Sequence, residues 1–458
     1  MAIATTNPAT GETVRTFDEL TGEQIEQKLQ RAADAFRSWR RTSYAERAAL
    51  LTRTAEILEA EADELGKLAT VEMGKTISGA KAEVLKSAKA CRWYAEHGER
   101  LMADLPHDPG VDGAKVFTRY QPLGTVLAVM PWNFPYWQVL RFAAPTLMAG
   151  NTALLKHASN VPQCALAIED AFTRAGLPEG VFQTLLVGSG AIEKIVDDPR
   201  IHAVTLTGSE AAGQAVGARA GHNMKSSVLE LGGADPFIVM PSADLNAAAD
   251  GAVASRMLNA GQSCINAKRF IVHEQVADEF ERLIVRRLEA LVVGDPMDEA
   301  TEVGPLSSLE AVKTIEQQVH DIVNAGGRVL TGGQRPDGPG AFYPPTAITD
   351  VPVDAPISKE EFFGPVALIF HARDADDAIR IANDSPFGLG GSAWTQDPEE
   401  KQRFVDEVET GMIYINKFSE SNPAVPFGGI KTSGYGRECS VFGLHAFTNQ
   451  KTVWISGG

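Results

Sequence analysis

Thr125-Val-Leu-Ala-Val-Met130, Thr152-Ala-Leu-Leu-Lys156, Ala203-Val-Thr-Leu-Thr207 and Ser227-Val-Leu-Glu-Leu231 decide the fold class. Each is a short apolar run rich in β-prone residues. Val181-Phe-Gln-Thr-Leu-Leu-Val187 belongs to the same series. Between them stand segments that read as helices, one after Pro135 and one from about Pro162 to Ala175. The β-α-β-α rhythm predicts an α/β fold, a parallel sheet with helices on both faces. Sheets of this kind bind ligands at the C-terminal ends of their strands.

Upstream, from about Thr21 to Arg100, the chain reads mostly as helix. Glu46-Arg-Ala-Ala-Leu-Leu-Thr-Arg-Thr-Ala-Glu-Ile-Leu58 puts apolar residues at three- and four-residue spacing. Downstream a second βα series follows. It has helices at about Leu245–Asn259, Val276–Leu291 and Leu309–Ala325, with strands at Arg269–His273, Val366–Phe370 and Met412–Asn416. Lys451-Thr-Val-Trp-Ile455 is a short terminal strand, expected to pair with another subunit because an open edge is a liability.

The 458 residues suffice for two or three domains, and 44% apolar with 22% charged residues is ordinary for a soluble enzyme. A net charge of -17 argues against nucleic acid and anionic membrane as partners. An anionic substrate must therefore be held by local cations. Met-Ala-Ile-Ala-Thr-Thr-Asn-Pro8 lacks the regions of a signal peptide. Cys91, Cys164, Cys264 and Cys439 are too few and scattered for a disulfide framework or zinc site, and the nine histidines form no metal-ligand pair. No metal is expected, and the expected compartment is the reducing cytoplasm.

The dinucleotide signals are weak singly. Gly188-Ser-Gly190 has Glu193 where the usual fingerprint has its third glycine. Thr207-Gly208-Ser209, followed by Gly213 and Gly217, sits between a strand and a helix. It reads either as a phosphate site or as a plain turn.

Four separated segments matter together. Gly261-Gln-Ser-Cys264 occupies a tight connection between a helix and a strand. Glu230 stands in Leu229-Glu-Leu-Gly-Gly233 at a strand end, Asn133 in Pro131-Trp-Asn-Phe-Pro135, and Glu361 in Glu360-Glu-Phe-Phe-Gly-Pro365. In this order, with Lys156 between Asn133 and Glu230, they resemble the aldehyde dehydrogenases over almost the whole chain. Ala234 departs from the Lys or Asn common in that family. The resemblance implies a Rossmann-type NAD(P)-binding domain (1–103 and 126–230), an α/β catalytic domain (231–425) and a small β bridging or oligomerisation element (104–125 and 440–458). A homodimer or homotetramer is then expected.

The residue types suit the chemistry. Expelling hydride from an aldehyde requires a tetrahedral centre, which a thiolate forms readily near neutral pH. Cys264 is the expected nucleophile; an exposed low-pKa thiolate is also oxidisable. The other three cysteines read as small buried hydrophobes. The resemblance adds Asn133 and the Cys264 backbone N–H as oxyanion donors, Glu230 as general base toward water, and Lys156 as the fourth member of the catalytic set. A CoA-acylating reaction has no need of Glu230. A non-catalytic protein of the same fold has no need of any of them.

The family's lysine at Lys156 bonds the adenosine ribose. Three residues on, where NAD-preferring relatives carry a glutamate, stands Ser159, a neutral donor. Lys156 and Ser159 are expected to take a 2′-phosphate, with His157 as a further donor, so NADP is expected over NAD. The alternative is that Ser159 merely caps the following helix. Trp132, Asn133, Thr207, Gly208, Ser209, Leu231, Glu361 and Phe363 are expected along the cofactor path.

Asn133, Trp137 and Arg141 are spaced by four, as on one helix face. An arginine there suits a carboxylate, and the segment resembles that of succinate-semialdehyde dehydrogenases. The expected substrate is therefore a carboxylated aldehyde, succinate semialdehyde, held by Arg141 with Trp137, Ser263 and Ser421. Alternatively Arg141 pairs with an acidic residue at a helix interface, and the substrate is glutarate-type, sulfonated, phosphorylated or neutral.

Overall fold

The computed structural model describes residues 2–456; residues 1, 457 and 458, which end two of the expected segments, lie outside it. The helical N-terminal region resolves into Gly22–Trp39, Tyr44–Ala60, Ala62–Met73 and Ile77–Leu101. Thr21 with Gln24, and Ser43 with Glu46, form reciprocal capping boxes that fix the first two helix starts.

The deciding strands build a six-stranded sheet. Its order is Gly434–Tyr435, Ser226–Glu230, Ile201–Thr207, Thr125–Met130, Thr152–His157 and Phe182–Thr184. All neighbours are parallel except Gly434–Tyr435. The register sets Met130 beside His157 and Thr207 beside Glu230, so these strands end level along one rim. The strand Thr152–His157 is buried throughout, as a doubly covered parallel strand must be.

A second, seven-stranded sheet runs Arg328–Thr331, Thr346–Thr349, Val366–Ala372, Ala267–His273, Asp235–Val239, Ser392–Trp394 and Tyr414–Ile415, parallel except at its first strand. The chain crosses between sheets at Leu231–Ala234. Glu230 ends one sheet, and Asp235 begins a strand of the other.

Leu105–His107, Lys115–Pro122 and Thr448–Ile455 make a third, antiparallel sheet. The terminal strand begins three residues earlier than expected. Its first partner is intrachain, with Thr448 opposite Pro122 and Ile455 opposite Lys115. Its other edge has no partner among the described residues, and Trp454 and Ile455 are half exposed there.

Trp137–Ala149 is buried on every side, Arg141 included. It starts at Trp137, so Asn133 lies in the turn ahead of it and not on a shared face, correcting the reading from four-residue spacing. A buried charge on such a helix needs a partner.

Candidate active site

Cys264 sits on a loop that the backbone reaches by an uncommon path. Asn259, Ala260 and Gly261 all have positive φ, at 58°, 53° and 77°. Two of them are not glycine, so surrounding bonds must hold the strain. Arg256 does so from below, donating to the carbonyls of Gly261 at 2.7 Å, Ala267 at 3.1 Å and Phe362 at 3.1 Å. Asn266 Nδ2 bonds the Leu258 carbonyl at 2.9 Å. Lys268 Nζ donates to the carbonyls of Ser263 and Cys264, both at 2.8 Å. The nucleophile is thus carried on a rigid frame, as precise attack requires.

Asn133 is buried beside this loop. Its Nδ2 donates to Gln262 O at 3.0 Å, while its own carbonyl accepts from Asn259 Nδ2 at 2.8 Å. It does not cap the following helix. Glu83 does, accepting from the N–H groups of Tyr136 at 2.8 Å and Trp137 at 2.9 Å and pairing with the buried Lys75. A side-chain amide has two N–H donors. One is spent on Gln262, and the other is left for an oxyanion at Cys264.

Burial pushes the Cys264 thiol up to about 12, although Lys268 and Arg141 pull the other way. This corrects the expectation of an exposed, low-pKa thiolate: the resting group is a protonated, largely sheltered thiol. Cys91, Cys164 and Cys439 are all buried.

Glu230 is buried, and neither carboxylate oxygen has a hydrogen-bond partner. Gly428 gives it room: a Cβ there would lie 2.5 Å from Glu230 Oε1. Burial, reinforced by nearby Glu438, holds its carboxyl well above the usual range. That makes Glu230 a stronger base than a solvated glutamate.

Arg141 turns out to be paired. Its Nε lies 2.5 Å from Glu438 Oε2, and its guanidinium stacks 4.3 Å from the Phe427 ring centroid. The ion-pair alternative describes this contact, while Nη2 lies 3.4 Å from Thr207 Oγ1. Glu438 was not anticipated; nothing in its local sequence marks it.

The expected cofactor residues divide into two groups. Trp132, Asn133, Thr207, Gly208, Ser209, Leu231, Glu361 and Phe363 line one cleft of about 230 Å³ together with Cys264. The rings of Trp132 and Phe363 meet edge to face at 5.8 Å. Ser209 caps the helix Glu210–His222, accepting from Ala212 N at 3.4 Å. Glu361 is set by Gly233 N–H at 3.1 Å and Lys268 at 3.1 Å. A Cβ on Gly232 would approach Glu361 Oε2 to 2.6 Å, so a larger residue there would push the carboxylate aside.

Lys156 ends its strand buried, with no hydrogen bond or ion pair to its ammonium among the described residues. Ser159 is not the cap of the helix Pro162–Arg174. Glu72 takes that role, accepting from Gln163 N and Cys164 N at 3.0 Å each. His157 departs from expectation. Its Nδ1 lies 2.9 Å from Ala158 N and 3.3 Å from Met130 O, and its Nε2 3.0 Å from Pro135 O, so backbone groups engage both ring nitrogens. Burial lowers its pKa to about 4. It is a neutral clamp on the Asn133 loop and offers a phosphate no donor.

The expected substrate residues lie outside the cofactor cleft. Trp137 belongs to an apolar cluster with Ile265, Phe427 and Cys439, against which Cys264 and Phe134 pack. Ser421 accepts a hydrogen bond from Lys86 Nζ at 2.9 Å, and that ammonium lies 4.4 Å from the Trp137 ring centroid. Ser263 is buried and contributes its carbonyl to Lys268.

Cys264 and Asn133 line one cleft, and the buried carboxylate of Glu230 directly precedes Leu231 in its wall. The chain belongs to the aldehyde dehydrogenase family, whose model matches residues 1–453. It is 56% identical over 457 residues to succinate-semialdehyde dehydrogenase [NADP(+)] 1 of Mycobacterium tuberculosis (strain ATCC 25618 / H37Rv), covering 100% of both chains. It is 55% identical over 457 residues to succinate-semialdehyde dehydrogenase [NADP(+)] of Mycobacterium leprae (strain TN), again covering 100% of both. The crystal structure of succinic semialdehyde dehydrogenase from Streptococcus pyogenes in complex with NADP+ superposes with a TM-score of 0.97 at 37% identity, over 99% of this chain and 100% of that one.

Proposed function

We propose that the enzyme oxidises succinate semialdehyde to succinate with NADP. The observation that carries the chemistry is that Cys264 and Asn133 line one cleft, with the buried, unpartnered Glu230 carboxylate on the residue just before Leu231 in its wall. The relatives named above act on this aldehyde with this cofactor. Aldehyde, NADP and water give carboxylate, NADPH and two protons.

Cys264 Sγ bonds the aldehyde carbon, and its proton leaves to a base. Asn133 Nδ2 and the Cys264 backbone N–H hold the resulting oxyanion. Donors of this kind typically lower a barrier by about 2.7–4 kcal/mol each. Bound NADP supplies the hydride acceptor. Once the acyl group is a thioester on Cys264, Glu230 takes a proton from the attacking water. Its two unpartnered oxygens are free to accept that hydrogen bond. Thioester cleavage returns Cys264 and frees succinate. A buried glutamate poised toward water favours hydrolysis over transfer to CoA.

NADP fits the residues present. Lys156 is a buried cation without an anion, and Ser159 is a hydroxyl freed from capping. A 2′-phosphate supplies the missing charge, and no carboxylate occupies the position of Ser159 to repel it. Glu361 and Phe363 would hold the nicotinamide half, and Thr207, Gly208 and Ser209 the backbone between.

The expected domain division (1–103 with 126–230, 231–425, and 104–125 with 440–458) belongs to the same reading. The open edge of Thr448–Ile455 is the proposed contact that builds a homodimer or homotetramer. No helix among the described residues is long and apolar enough to cross a membrane, and a cytoplasmic location is proposed. A steady-state panel of succinate semialdehyde, glutarate semialdehyde, propanal and benzaldehyde, each with NAD and NADP, tests the function. The highest kcat/KM should fall on succinate semialdehyde with NADP; a neutral aldehyde in first place overturns the substrate.

A further inference from the structure

Gln138 stands in the first turn of the helix Trp137–Ala149, which is largely apolar and buried along its whole length. Only 2% of Gln138 is exposed, and its Oε1 is buried without a hydrogen-bond partner. An acceptor left dry in this way is costly and calls for an explanation. Its position offers one, because Gln138 lines the cleft that holds Cys264, Asn133, Thr207, Glu361 and Phe363. Arg141, three residues on, shares its face of the helix. Arg141 sets Nη2 3.4 Å from Oγ1 of Thr207, so this face looks onto the strand end that walls the cleft.

An unpartnered acceptor needs a donor, and the reactants offer few. The aldehyde and the carboxylate of a semialdehyde donate no hydrogen bond. Glu361 is the acceptor that suits the ribose hydroxyls of the nicotinamide half of NADP. The nicotinamide ring itself carries one polar substituent, its carboxamide, and the NH2 of that group is the ring's only donor. We propose that Gln138 binds the cofactor, its Oε1 accepting a hydrogen bond from the carboxamide N–H of the nicotinamide. This assignment rests on the functional reading above.

The bond has a consequence for the chemistry. It restrains rotation of the ring about its glycosidic bond and so keeps one face of the ring turned toward the carbon attached to Cys264. Precise placement of reacting groups is what such contacts supply. An apolar side chain of similar volume at position 138 would fill the same space in the helix and leave the carboxamide without this partner. Water is the competing donor to Oε1, and a bound water does not distinguish one nicotinamide substituent from another.

The test compares NADP with its acetylpyridine analogue, in which a methyl group replaces the carboxamide NH2 and the rest of the molecule is unchanged. Isothermal titration calorimetry gives Kd for both with the wild type, Gln138→Met and Gln138→Glu. Wild type should bind NADP roughly threefold to tenfold more tightly than the analogue, the span of one net hydrogen bond. Gln138→Met has a similar volume and no such acceptor, and it should bind the two about equally. Gln138→Glu keeps an acceptor of the same reach and should keep the preference for NADP. An undiminished preference in Gln138→Met overturns the proposal, as does equal binding of the two by the wild type. If Gln138→Met does not fold, Gln138→Glu decides, and loss of the preference there overturns the proposal. Failure of the wild type to bind NADP at all overturns the functional reading, and not merely the role of Gln138.

Discussion

Arg141 and Glu438 form a buried ion pair, with Nε 2.5 Å from Oε2. The pair stands beside Glu230, whose carboxyl feels both charges. Arg141 therefore helps to set the electrostatic environment of Glu230. Removing one partner of such a pair leaves a buried charge and typically costs about 3–5 kcal/mol. Arg141→Ala and Glu438→Ala should each lose stability on that scale in denaturant unfolding. The double variant should lose clearly less than the sum. Additive losses would contradict the pairing.

Asn133 has one amide hydrogen committed to Gln262, and the other is the proposed oxyanion donor. Asn133→Ala should lower kcat by about a hundredfold to a thousandfold with a smaller change in KM, as loss of an oxyanion donor does. A loss in KM alone would assign Asn133 to binding.

The Cys264 thiol, pushed to about 12 by burial, is mostly protonated at neutral pH in the cofactor-free enzyme. Its raised pKa means the thiolate fraction keeps growing with pH. Inactivation by iodoacetamide should therefore accelerate continuously from about pH 7 to about pH 10, without a plateau. A plateau near neutrality would show a stabilised resting thiolate.

The proposed seat of the cofactor preference is Ser159 with Lys156. Ser159→Glu places a carboxylate against the 2′-phosphate and also takes away a donor. Its kcat/KM with NADP should fall by roughly a hundredfold, the scale of lost charge-assisted hydrogen bonds. The value with NAD should fall less or rise. Equal losses with both cofactors would remove Ser159 from that role.

The parallel strands were legible in the sequence because each is a short apolar run ending at a motif residue: Met130 before the Asn133 turn, Lys156, Thr207 and Glu230. The strand Asp235–Val239 was not, because Pro236 and the preceding glycines read as a loop; Pro236 stands at its second position. Cys264, Asn133 and Glu230 were readable because their motifs are local. The pairing of Arg141 was not legible, because spacing does not reveal a partner that joins the helix from Glu438, far along the chain. Glu83 and Glu72, which cap helix starts from distant segments, are invisible in the same way. His157 reads as a donor until burial turns both ring nitrogens inward.

The central claim is that Cys264 carries a succinyl thioester which Glu230 helps water to cleave. Glu230→Gln tests it most directly. Mixed with NADP and succinate semialdehyde, the variant should release a single burst of NADPH, about one equivalent per active site, and then stall. Mass spectrometry of the stalled protein should find one succinyl group on the peptide containing Cys264. Continued turnover at the wild-type rate, or a burst with no acyl group on Cys264, would contradict the account.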